Sequence, residues 1–166
     1  MEEYNKADIL EYRRQVEVGQ IQRGYRQLMD YLASLRTELI HRYPEDYVVG
    51  NLYQGYMDMS YFSFTPKDFK PKGLKLAIVF NHRAWRFEVW LVARNKNYQR
   101  KYWQDLKKRN FNIFPLCLDP QHAIIQYFLV ENPNFSKKDE LTDTIDKSLV
   151  LFVEEIHHSM GDLQHG

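Results

Sequence analysis

Residues 74–93 (LKLAIVFNHRAWRFEVWLVA) read as two strand-forming runs around a short polar turn at Asn81, His82 and Arg83, and this hairpin constrains the chain more than any other segment. β-Branched and aromatic residues dominate both runs, as a pleated, half-buried surface requires. With the turn at residues 81–84, positions whose numbers sum to about 165 face each other. Ile78 then opposes Phe87 and Leu76 opposes Val89 on an apolar face, while Ala77 opposes Glu88 and Val79 opposes Arg86 on the other. Residues 74–80 and 85–93 are expected at the centre of a sheet, with Phe87 and Val89 buried. Strand interiors normally shed charge. Arg86, Glu88 and Trp90 on one strand face are therefore either an internally paired structural group or the floor of a site.

The segments around the hairpin set the fold class. Upstream, Ile21, Tyr25, Leu28, Leu32, Leu35 and Leu39 recur at spacings of four and three, which places them on one face of a helix. Gly19 and Gly24 predict a break near its start, with residues 1–20 as a helical lead-in, and Tyr43-Pro44 ends it. Residues 54–64 (QGYMDMSYFSF) read as a strand centred on Asp58, and the proline-rich link 65–73 joins it to the hairpin as a three-strand meander. A helix over residues 98–108 follows, with Asn95 or Asn97 as its cap. After Pro115 and Pro120 comes a buried strand over residues 123–130. Ser136 and Asp139 have capping-box spacing and open a last helix carrying Leu141, Ile145, Leu149, Phe152, Val153 and Ile156. Residues 161–166 are expected to fray. The result is a single α+β domain over residues 1–166: a four-stranded, mainly antiparallel sheet (helix, three-strand meander, helix, strand, helix) with helices packed on it.

Composition narrows the function classes. Lysine and arginine number 23 and aspartate and glutamate 22, so no whole-chain field draws the protein to nucleic acid or an anionic membrane. Residues 94–109 are locally basic and interleaved with Tyr98, Tyr102 and Trp103, but a solvated helix face with an aromatic core side accounts for that pattern. The single cysteine, Cys117, forms no intramolecular disulfide and fits a reducing compartment. The charged N-terminus has no signal-peptide core, and no apolar run approaches the ~20 residues of a spanning helix. A cytoplasmic location follows. No glycine-rich phosphate loop or nucleophile elbow is present, and the adjacent His157 and His158 lack the spacing of a zinc pair. Neither a metal nor a cofactor is expected.

Two readings of the charged residues remain. In the first, the protein is a non-enzymatic binding or interaction module. Arg86, Glu88 and Trp90, with Asn95 and Gln99 just beyond the strand, form a surface for a protein partner or a second copy of the chain. In the second, Asp58 and Glu88 hold a divalent cation through oxygen ligands, and Lys101 activates the attacking water. The element order resembles the core of PD-(D/E)xK nucleases, which implies a metal-dependent phosphodiesterase. Trp90, however, occupies the place of that motif's lysine.

The segments YPEDYVVGNLYQGYMDMSYFSF, LKLAIVFNHRAWRFEVWLVARNKNYQRKYW and NPNFSKKDELTDTI together resemble a family of small bacterial cytosolic proteins known only as a domain of unknown function. The resemblance runs over residues 24–156. It implies a bacterial origin and carries no activity, substrate or site.

Overall fold

The hairpin lies at the centre of the sheet, flanked on both sides. In the computed structural model, which describes residues 1–160, its strands are β3 (Leu74–Asn81) and β4 (Arg86–Ala93). With β1 (Tyr47–Val49), β2 (Met59–Pro66) and β5 (Ile125–Glu131) they form one five-stranded antiparallel sheet in the order β1-β2-β3-β4-β5. The expected four strands thus become five. Only three residues long, β1 is too short for any periodicity to be read from sequence.

The hairpin register differs from expectation by two. Ile78 opposes Val89, Val79 opposes Glu88 and Ala77 opposes Trp90. The cause is the turn, which begins at His82 rather than Asn81 and ends at Trp85 in the left-handed region (φ 55°). Asn81 remains in the ladder opposite Arg86, and its Oδ1 accepts the Ala84 N–H at 3.0 Å. Because the slip is even, every side chain keeps its face. Phe87 and Val89 are fully buried.

Among the described residues the α-helices are α1 (Lys6–Val18), α2 (Gln20–Arg42), α3 (Lys96–Lys108) and α4 (Lys138–Met160). The break between the first two falls at Gly19 (φ 82°), whereas Gly24 continues the helix. Buried residues of α2 and α4 join Phe62, Phe64, Leu76, Ile78, Phe80, Phe87, Val89 and Leu91 in one core on one face of the sheet. Tyr31 on α2 meets the Phe87 ring at 5.9 Å, and Phe152 on α4 meets Tyr127 of β5 at the same distance. By contrast, α1 buries none of its residues.

Two local expectations change. Asp58 precedes β2 rather than centring it, and the strand runs on to Pro66. Ser136 does not cap α4: its hydroxyl and its N–H both donate to Asn134 Oδ1, at 2.5 and 3.0 Å. The expected frayed tail, 161–166, lies outside the described residues.

Candidate functional site: the open face of the sheet

An antiparallel sheet needs only one covered face. Here the second face carries a cleft of about 750 Å³, and none of its lining residues is helical. The register explains the hollow. Ser63 on β2 pairs with Ala77 on β3, which pairs with Trp90 on β4. On the outer side of Ser63, the Gly50 N–H donates to the Ser63 carbonyl at 2.9 Å. Glycine, serine and alanine thus lie side by side across the sheet. A Cβ at position 50 would sit 2.3 Å from Ser63 Oγ, so any side chain there would have to turn the Ser63 hydroxyl away.

Bulkier rows flank this trough. On one side Tyr61 pairs with Val79, and Tyr53 bridges to Tyr61 with its ring 5.0 Å away. On the other side Lys75 pairs with Val92. The Trp90 indole closes the end toward β5, and Asp58 and His122 stand at the lip. The trough is apolar in its walls and floor, with a cation at one margin and a carboxylate at another.

Next to Trp90, Glu88 is a fully buried carboxylate. Gln126 Nε2 donates to its Oε1 at 2.5 Å and Asn81 Nδ2 to its Oε2 at 3.4 Å, with an Arg86 guanidinium nitrogen 3.7 Å away. The Arg86 guanidinium carbon lies over the Phe128 ring, 3.5 Å from its centroid. A carboxylate with these partners is inaccessible to a ligand and braces β3, β4 and β5 against one another. The buried Trp90 Nε1–H and Arg86 Nε–H have no hydrogen-bond partner among the described residues.

The residues singled out from sequence thus fall in different places. Arg86, Glu88 and Trp90 share the open face, and of these Trp90 lines the cleft. Asn95 is the N-cap of α3, its Oδ1 accepting the Tyr98 N–H at 3.0 Å. Gln99 is a buried clamp: it accepts the Ala93 N–H and donates to the carbonyls of Pro120 and Gln121. Asp58, Glu88 and Lys101 are not brought together. Glu88 lies two strands and three residues from Asp58, about 14 Å between backbones at ~4.8 Å per strand and ~3.3 Å per residue. The Asp58 carboxylate accepts the Tyr56 N–H at 2.9 Å, and this backbone bonding holds its pKa below the usual carboxylate range. Lys101 sits on α3 beside the Tyr98 ring. Among the described residues, no three of His, Cys, Asp and Glu gather where they could hold a metal ion. Gly50, Tyr53, Ser63 and Ala77, which shape the cleft, carry no charge to set them apart in the sequence. The period-two alternation of β2 and β3 could have pointed to Ser63 and Ala77.

On the helix-covered side, at the end of the hairpin, His82 and Ser60 form a polar pair. Ser60 is fully buried, and its hydroxyl donates to the Gln54 carbonyl, which leaves it accepting from His82 Nε2–H at 2.8 Å. The imidazole stacks on Tyr25 and meets Phe80 edge-on. Burial holds its pKa below the ordinary 6.5, outweighing the opposing pull of the Asp58 carboxylate. The folded state therefore takes up this proton less readily than the unfolded chain. The associated stability is intact above the unfolded value and is lost as pH falls through the folded one. Denaturation curves at about pH 7.5 and about pH 5 should show a smaller drop in His82→Gln than in the parent; equal drops would remove His82 from the account.

The chain belongs to a family defined only as a domain of unknown function, DUF7000, whose model matches residues 5–160. No curated protein and no solved structure matches it. No helix among the described residues is long and apolar enough to cross a membrane.

Proposed function

We propose, for a chain whose family carries no assigned activity, that the protein is a non-enzymatic binding module of the bacterial cytoplasm and that its open sheet face is the binding surface. The observation that carries this reading is the trough over Gly50, Ser63 and Ala77. Its volume falls within the range of about 300–1,000 Å³ typical of ligand clefts. Apolar walls with a few polar groups at the margin suit recognition, and the buried Glu88 network keeps the wall at β4 rigid. The phosphodiesterase reading has no comparable support, since its two carboxylates and lysine stand apart on different elements.

The test is a fragment screen followed by amide chemical shifts. Perturbations confined to Ser63, Ala77, Trp90 and their neighbours are expected, with loss of those shifts in Ala77→Trp, which fills the trough. Shifts scattered over the helices, or none at all, would overturn the assignment.

A further inference from the structure

Lys75 belongs to two hollows at once. Beyond it the open face continues into a second cleft of about 600 Å³, which shares Lys75 and Val92 with the first and adds Lys70, Gly73 and Arg94. Arg94 is held in place there. Its N–H donates to the Gly73 carbonyl at 2.8 Å, and its guanidinium lies 3.9 Å from the Tyr98 ring centroid. A Cβ at position 73 would come within 3.2 Å of Arg94 Cδ, so glycine lets the side chain cross the strand end. The ion pairs of the described residues involve none of Lys70, Lys75 or Arg94. Three cations with no ion-pair partner among the described residues thus border the open end of an apolar, aromatic-walled trough.

The geometry points to an aromatic organic anion as the ligand of this cleft, an assignment that rests on the binding-module reading above. The flat body lies over Gly50, Ser63 and Ala77, between the Tyr53 and Tyr61 rings and Trp90, where ring-on-ring contact adds to apolar burial. Its acidic group points toward Lys75, with Lys70 and Arg94 beyond. A cationic ligand is disfavoured at that end by the same three charges. At the other end, Asp58 is engaged by the backbone of its own turn.

A matched pair of dyes separates the two parts of the assignment. 1-Anilinonaphthalene-8-sulfonate carries the anion, and N-phenyl-1-naphthylamine is the same scaffold without it. The folded protein should bind the sulfonate with one-to-one stoichiometry and roughly tenfold more tightly than the amine, the scale of one or two partly exposed charge-assisted contacts. The double variant Lys75→Glu with Arg94→Glu should abolish that preference, read as the ratio of the two affinities in the same variant. Ala77→Trp should lose both dyes. Far-UV dichroism checks folding, and Lys75→Gln with Arg94→Gln replaces the reversal if the latter fails to fold. Equal affinities for the two dyes, or a sulfonate affinity indifferent to the charge changes, would overturn the anion assignment while leaving the cleft as a binding surface. Failure of both dyes to bind the parent protein would overturn the cleft reading and the anion assignment together.

Discussion

Replacing Glu88 by alanine should lower the stability of the fold by about 3–5 kcal/mol, the cost of breaking a buried charge network from one side. The carboxylate is fully buried and accepts from both Gln126 and Asn81. Its removal leaves two partly buried amide donors without their acceptor and Arg86 without its ion-pair partner. Glu88→Gln should cost less, because a carbonyl oxygen still accepts one of the two bonds. Arg86→Ala should cost less again, about 1–2 kcal/mol, since its side chain is partly exposed and its approach to Glu88 is a loose 3.7 Å. Urea denaturation monitored by dichroism gives the order directly. A loss under 1 kcal/mol in Glu88→Ala would mean that the carboxylate is not held by these partners. Dye binding by the folded remainder would then show whether the wall beside Trp90 depends on the brace.

Phe87→Ala should be comparably damaging, about 3–5 kcal/mol for a large-to-small change in a closed core. The ring meets Tyr31, Phe80 and Phe135 at centroid distances of 5.9, 5.0 and 6.2 Å, which ties α2 to the central strands and to the segment before α4. At roughly 2–4 °C per kcal/mol for a chain of this size, the melting temperature should fall by about 10 °C. Calorimetry of the variant checks this. Phe87→Leu should recover most of the loss, because most of the volume returns.

The architecture was legible where long periodic patterns met a covered face. The stripe from Leu28 to Leu39 and the alternation through Phe87 and Val89 encode burial in their spacing alone. The third helix was legible for a local reason, a side chain bonding its own backbone three residues on, although the spacing left Asn95 and Asn97 both open as the cap and the structure uses Asn95. Strand β1 was not, because three residues have no period. The hairpin register escaped because it depends on whether Trp85 takes a positive φ, a choice that tertiary packing against Phe80 and Phe135 decides. The open face illustrates a different limit. Arg86 and Glu88 drew attention as charges in a strand, yet the hollow beside them is made by Gly50, Ser63 and Ala77. It depends on three strands meeting in register, so no single segment announces it.

The helix that buries nothing has a kinetic counterpart. Thirteen residues of helix ending at a left-handed glycine have little beyond their own hydrogen bonds, an Asn5 cap and surface ion pairs to hold them, and helices this short are marginal on their own. Amide protons of α1 should therefore exchange with solvent through local opening, independently of denaturant. Those around Leu32 and Leu35 should exchange only when the whole core unfolds. The unit that melts cooperatively is expected to start at residue 20, with the helix before Gly19 opening separately from it.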